Sequence, residues 1–248
     1  MSPAESGPRT LRRPDGARLV WERFGPSQAP TVIVTHGLFC YRTMRELVVL
    51  RDGLLEAGYG VVLWDVRGHG DSTGRFTWGA EEWRDLLDLC EQVRGEVGEG
   101  SPIHGIGFSF GAFHSLLAAA GGAPFASLVL VGGPRDFRGL APAIFGGHLL
   151  RTMRHRTRRP LLVPRLGWPW RGQRQPREVV AGIEQPLLFV HGTADWIVPA
   201  RHSEDLARLA GKNASLSILE GGLHAEYLLA QDPGRFFEQV LPWLADQA

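Results

Sequence analysis

The sequence predicts an α/β fold: a mostly parallel, twisted sheet with helices on both faces. Three observations carry that prediction. Short apolar runs alternate with segments of helical length and pattern, as in chains of repeated strand–helix–strand units. Most of the runs are apolar throughout, as expected of strands buried on both faces. At 248 residues, with 44% hydrophobic and 21% charged residues, the chain fits one domain of this type with a large core.

The elements follow in order. Leu11 to Phe24 carries the turn signal Pro14-Asp15-Gly16 between two extended segments, which reads as an antiparallel hairpin opening the sheet. Strands are expected at Thr31–Thr35, Gly60–Asp65, Pro102–Phe108, Ser127–Val131, Pro186–Val190 and Ser215–Leu219. Helices are expected at Thr43–Ala57, Ala80–Val97, Gly111–Gly121, Ala200–Leu209 and Gly234–Ala245. No internal repeat is visible. In an open parallel sheet, ligands bind outside the carboxyl ends of the strands. The loops of interest all follow strand ends, so they converge on one edge.

Five of those loops carry motifs. Gly107-Phe108-Ser109-Phe110-Gly111 is a G-x-S-x-G signature between a strand and a small-residue helix. Such a turn strains the serine backbone and exposes its oxygen above the sheet. Asp195 lies in His191-Gly192-Thr193-Ala194-Asp195, just past the Pro186–Val190 run, and His224 closes the glycine-rich Gly221-Gly222-Leu223-His224. Thr31–Thr35 ends in His36-Gly37-Leu38-Phe39, and the Val61–Trp64 run ends in Asp65-Val66-Arg67-Gly68-His69-Gly70-Asp71-Ser72. Together these motifs resemble the α/β-hydrolase superfamily, in its esterase, lipase and thioesterase-like branch. The resemblance extends from about Arg18 to Leu244 and includes the family's order of serine, acid and histidine.

The resemblance implies an α/β-hydrolase fold with Ser109, Asp195 and His224 as the catalytic residues. A serine hydroxyl is a weak nucleophile at neutral pH and needs an adjacent base. His224 would take its proton and return it to the leaving group. Asp195 would orient the imidazole and stabilise its cation. The backbone N–H groups of Leu38 and Phe110 would form the oxyanion hole, with Phe39 as the fallback for Leu38. The D-x-R-G-x-G-x-S segment would be a structural turn. Plainer readings remain for each residue: a tight-turn serine, an Asx-turn or helix-capping aspartate before Pro199, and a loop histidine donating to backbone. Asp136, just after the sixth strand, is a rival acid.

The family also implies a small cap inserted after the sixth strand. Residues 134–185 break the strand–helix alternation, dividing the chain into hydrolase core (1–133), cap (134–185) and hydrolase core (186–248). The segment is rich in Gly and Pro and holds Phe137, Phe145, Trp168 and Trp170. Eleven arginines against Asp136, Glu178 and Glu184 give it a local charge of +8, leaving about −7 for the rest of the chain. Those arginines could receive a carboxylate or phosphate group, or form a solvated face in a chain with 26 arginines and the single lysine Lys212.

Other classes are set aside on composition and pattern. A net charge of +1 gives no general field for nucleic acid or anionic membrane. The segment Met1 to Pro14 lacks the apolar core of a secretory signal, and no run approaches the ~20 apolar residues of a membrane span. Cys40 and Cys90 offer no disulfide framework. A cytoplasmic location is the expectation. His36 and His191 read as structural hydrogen bonders, His69 as part of its turn. His104, His114, His148, His155 and His202 form no spaced metal set. No metal and no cofactor are expected, and the oligomeric state is open.

The expected function is hydrolysis of a small-molecule carboxylic ester through an acyl-enzyme. One alternative is a thioesterase acting on acyl-CoA or carrier-protein acyl groups. Another is a non-catalytic binding protein on a hydrolase scaffold. Relatives with an aspartate nucleophile are disfavoured by Ser109, whereas carbon–carbon hydrolases and perhydrolases keep the serine.

Overall fold

The computed structural model of the chain describes residues 7–98, 100–137, 140, 164–167 and 173–247. The expected cap falls largely outside these residues, and with it Phe145, His148, His155, Trp168 and Trp170.

Among the described residues, eight strands form one sheet in the order β1-β2-β4-β3-β5-β6-β7-β8. They are β1 (Arg9–Arg12), β2 (Arg18–Phe24), β3 (Thr31–Thr35), β4 (Gly60–Trp64), β5 (Ile103–Phe108), β6 (Ser127–Val131), β7 (Leu187–Gly192) and β8 (Ala214–Leu219). From β3 to β8 all pairs are parallel, while β1–β2 and β2–β4 are antiparallel. The opening hairpin turns where Gly16 takes φ 83° and Asp15 Oδ1 accepts the Ala17 N–H at 3.0 Å.

Seven α-helices cover the sheet: α1 (Arg45–Glu56), α2 (Glu82–Val97), α3 (Phe110–Ala120), α4 (Pro176–Val179), α5 (Arg201–Ala210), α6 (Glu226–Gln231) and α7 (Pro233–Ala245), counted among the described residues. The short α4 and α6 were not expected from the sequence. α4 carries a capping box between Gln175 and Glu178 and runs into a 3-10 turn, Val180–Gly182. Val179, Val180 and Ile183 are buried in the core shared with α2, α3 and α5. The start of α7 is set by Asp232, which accepts the Arg235 N–H at 3.0 Å, with Pro233 in the first turn.

Strand side chains alternate faces, and the two cores follow that period of two. Ile33, Val62, Trp64, Leu128, Leu130, Leu187 and Phe189 join the layer under α2, α3 and α5. Val32, Val34, Val61, Leu63, Val129, Val131, Leu188 and Val190 join the opposite layer, against α1, α6 and α7. This is why the runs are apolar throughout: both faces are buried. Each such side chain contributes ~1.5–3 kcal/mol on burial. The result is a sheet buried on both faces whose carboxyl edge carries the five motif loops.

Candidate active site

The turn after β5 is as tight as its glycines require. Ser109 takes φ 51° and ψ −116°, and its N–H donates to the Val131 carbonyl at 2.8 Å. A Cβ on Gly111 would stand 1.9 Å from the Thr35 carbonyl oxygen, and one on Gly107 would stand 2.7 Å from Ala112 backbone. Any side chain at either position would push β5 and α3 apart or drive the turn from β3. Non-glycine residues with positive φ are uncommon. Four occur among the described residues: Phe39, Trp78, Ser109 and Ala225. Three of them sit in the loops that meet here, where backbone strain tends to concentrate in proteins.

The loops after β7 and β8 are laced together. The Ala194 N–H donates to the Gly222 carbonyl at 2.9 Å, and the Gly221 N–H to Thr193 Oγ1 at 2.9 Å. A Cβ on Gly192 would lie 2.1 Å from Gly222 O, so this crossing is backbone against backbone. Gln231 of α6 holds the histidine loop from its far side, accepting the Leu223 N–H and donating to the Gly221 carbonyl. The crossing brings Asp195 to His224, with Asp195 Oδ2 and His224 Nδ1 2.6 Å apart. His224 Nε2 lies 3.0 Å from Ser109 Oγ. All three residues are buried.

Asp195 is held on every side. Its Oδ1 accepts the Ile197 and Val198 N–H groups at 2.9 and 2.8 Å. Its Oδ2 also receives a second imidazole, His191 Nε2, at 3.1 Å, and His191 Nδ1 faces Ser203 Oγ at 2.6 Å. Burial alone would raise the carboxyl pKa. The hydrogen bonds from His191 and His224 outweigh it and hold Asp195 well below the usual carboxylate range. The aspartate is therefore an anion at neutral pH, able to fix the His224 tautomer with the proton on Nδ1.

The rival acid is elsewhere. Asp136 is buried beside Arg177 (3.3 Å) and Arg135 (3.7 Å), and the carboxylate bonded to His224 is that of Asp195.

The loop after β3 presents three successive amides with different partners. The Gly37 N–H donates to Glu226 Oε1 at 2.6 Å. The Phe39 N–H donates to His69 Nε2 at 3.3 Å. Leu38, between them, has no such acceptor among the described residues. The same holds for Phe110, the first residue of α3, where an orphan N–H sits at the positive end of the helix. Of the Leu38 and Phe39 amides, that of Phe39 is thus engaged and that of Leu38 is open among the described residues.

His36 and His69 sit under this loop as hydrogen bonders. His36 Nε2 accepts the Val66 N–H at 3.0 Å, which puts its proton on Nδ1, 2.8 Å from Gly37 O. In the Asp65–Ser72 turn, Asp65 accepts the N–H groups of Arg42 (2.7 Å) and Asp71 (3.0 Å). Glu226, buried and two residues past His224, escaped the sequence reading. The signal was present: an acid inside an otherwise apolar stretch beside a glycine-rich histidine loop. Among the described residues, no group of three or more His, Cys, Asp or Glu could hold a metal, and no helix is long and apolar enough to cross a membrane.

Residues 32–248 match the description "Alpha/beta hydrolase family". The chain is 29% identical over 220 residues to the uncharacterized protein YqkD of Bacillus subtilis, covering 81% of this chain and 67% of that one. It is 27% identical over 272 residues to the monoacylglycerol lipase of Mycolicibacterium smegmatis, covering 92% and 93%. Among solved structures it resembles the esterase Pf2001 of Pyrococcus furiosus, with TM-score 0.77 and 21% identity over 97% of this chain and 92% of that one. It also resembles the esterase RhEst1 of a Rhodococcus species, with TM-score 0.70 and 20% identity over the full length of both.

Proposed function

The chain belongs to the alpha/beta hydrolase family, and within it we propose a serine esterase that cleaves a small carboxylic ester through an acyl-enzyme. The observation that carries this reading is the continuous chain Ser109 Oγ to His224 Nε2 at 3.0 Å and His224 Nδ1 to Asp195 Oδ2 at 2.6 Å. The likeness to a protein named monoacylglycerol lipase and to esterases supports an ester as the bond cleaved.

In the proposed reaction, Ser109 Oγ attacks the ester carbonyl carbon while its proton passes to His224 Nε2. The carbonyl π pair moves onto oxygen, where the Leu38 and Phe110 N–H groups receive it. Collapse breaks the bond to the alcohol oxygen, which takes the proton from His224 and leaves. Water then attacks the acyl-serine with His224 as base, and Ser109 is released with its proton. Asp195 stays ionised throughout and balances the imidazolium. Each hole donor of this kind is worth ~10²–10³ in rate.

Residues 134–185 are proposed as the cap that selects the acyl group. Their described stretch at Leu166 bridges to Phe76, with the Phe76 N–H donating to Arg165 O and the Gly167 N–H to Phe76 O, each at 2.8 Å. A sequence with two cysteines, Cys40 and Cys90, suits the cytoplasmic location we favour.

The test is a panel of p-nitrophenyl esters of rising chain length beside acyl-CoAs. Ser109→Ala is expected to keep its melting temperature and lose ~10³–10⁶ in turnover. Wild-type-like turnover in that variant would refute the assignment, and preference for acyl-CoA would replace ester by thioester.

A further inference from the structure

Each of the three peptide planes around Leu38 is tied through a polar atom. The plane between His36 and Gly37 is tied at the Gly37 N–H, which Glu226 Oε1 accepts at 2.6 Å. The plane between Gly37 and Leu38 is tied at its carbonyl, where Gly37 O lies 2.8 Å from His36 Nδ1 and accepts the Cys40 N–H at 3.3 Å. The plane between Leu38 and Phe39 is tied at the Phe39 N–H, which His69 Nε2 accepts, and at its carbonyl, which accepts from Cys40 Sγ at 3.8 Å. In a planar trans peptide, N–H and C=O point in opposite directions. Fixing Gly37 O therefore also sets the direction of the Leu38 N–H, and the tie at the Gly37 N–H limits how far that plane can swing about Gly37, the permissive residue that joins the two planes.

Of these ties, the one from Glu226 is the only one made by a carboxylate. It reaches the loop from the base side of the site, since Glu226 opens α6 two residues after His224. Its fit is close. A Cβ on Gly37 would stand 3.0 Å from Glu226 Oε1, 3.3 Å from Oε2 and 3.0 Å from Ser109 Cβ. The absent side chain at position 37 is the space in which carboxylate, serine and loop approach one another. Glu226 is 5% exposed, and Ala225 before it takes φ 43°, so the carboxylate is held by a constrained backbone. A buried carboxylate beside a developing oxyanion would oppose it electrostatically unless engaged by a donor. The Gly37 N–H is such a donor.

We propose that Glu226 is a positioning residue for the oxyanion hole: its carboxylate anchors the Gly37 amide, so that the neighbouring Leu38 N–H is held ready for the substrate oxygen. The role rests on the serine-esterase reading above and adds to it a link between the base loop and the oxyanion loop. It acts through the loop and takes no part in proton transfer. Two features separate it from simple packing. An uncharged acceptor of the same shape should serve nearly as well, and the effect should fall on kcat more than on KM, because the hole acts in the transition state.

Glu226→Ala and Glu226→Gln test this, read by ester kinetics and by amide hydrogen exchange of the peptide spanning residues 36–39. Glu226→Ala is expected to lower kcat by ~10²-fold with KM within about threefold, and to speed exchange of that peptide. Glu226→Gln, which keeps a carbonyl acceptor for Gly37, is expected to recover kcat to within about tenfold of the wild type and to restore protection. Wild-type kcat in Glu226→Ala would overturn the proposal, as would a glutamine variant as impaired as the alanine one. If the wild-type chain hydrolyses no ester while Ser109→Ala leaves the fold unchanged, the esterase reading fails. The exchange measurement then decides the anchor alone: faster exchange in the alanine variant sustains it, and unchanged exchange removes it.

Discussion

Asp136 and Asp195 stand on loops that follow neighbouring parallel strands, β6 and β7, and both are buried. Their company differs. Asp136 lies among guanidinium groups, Arg135 and Arg177, next to the start of α4. Asp195 lies between two imidazoles and accepts two backbone amides. Guanidinium remains charged at all working pH values, so the charge it presents to a carboxylate partner does not change. An imidazole can gain and lose a proton, so its carboxylate partner can serve a cycle in which charge appears and vanishes. A strand end on the carboxyl edge of the sheet supplies opportunity. The protonation chemistry of the neighbour decides whether the residue braces the fold or supports a reaction.

The most forceful way to break this contrast is to neutralise each acid in turn. Asp195→Asn is expected to lower kcat by ~10⁴-fold, because the amide would no longer enforce the His224 tautomer proposed to accept the serine proton. The same variant carries a pH signature. The pKa of Asp195 is held low in the folded state. Its stabilising contribution is present above the unfolded value of about 4 and fades as pH falls below it, so melting temperature in the asparagine variant should fall less steeply below about pH 4. An equally steep acid limb would mean that the hydrogen bonds of Asp195 do not bias its ionisation.

A smaller effect sharpens the role of the second imidazole. His191→Gln weakens one hydrogen bond to Asp195 while leaving His224 in place. The expected loss in kcat is about tenfold, the scale of one buried hydrogen bond to a charge. Unchanged kcat would show that His191 packs the loop without steadying the acid. Asp136→Asn should change least, keeping kcat within about threefold and lowering the melting temperature by a few degrees through its lost ion pairs. A larger catalytic loss in Asp136→Asn than in Asp195→Asn would reverse the assignment of the acid.

Much of this was legible in the chain. The strands could be read because both faces are buried, so Thr31–Thr35 or Leu187–Val190 appears as unbroken apolar sequence. The observed elements differ from the expected ones by one or two residues at most ends, as at α1, which runs Arg45–Glu56 against the expected Thr43–Ala57. The glycines flanking Ser109 could be read because a turn this tight admits no side chain. Strand order could not be read, since it depends on which way each crossover runs. α6 was missed because six residues are too few to show a periodic pattern, and Ala225 at φ 43° gives no capping signal. The partnership of Glu226 with Gly37 spans 189 positions of sequence and depends on where two loops meet in space. The open state of Leu38 is a property of its neighbours' hydrogen bonds, which a single sequence does not display.

In the proposed reaction Ser109 becomes covalently acylated during turnover. Its most direct test is acid quenching of the wild-type chain during hydrolysis of p-nitrophenyl acetate, followed by intact-mass measurement and peptide mapping. One acetyl group per chain, on the peptide containing Ser109 and absent from Ser109→Ala, is the predicted result. Steady ester turnover with the acetyl group on another residue, or equal labelling of Ser109→Ala, would rule out an acyl-Ser109 intermediate.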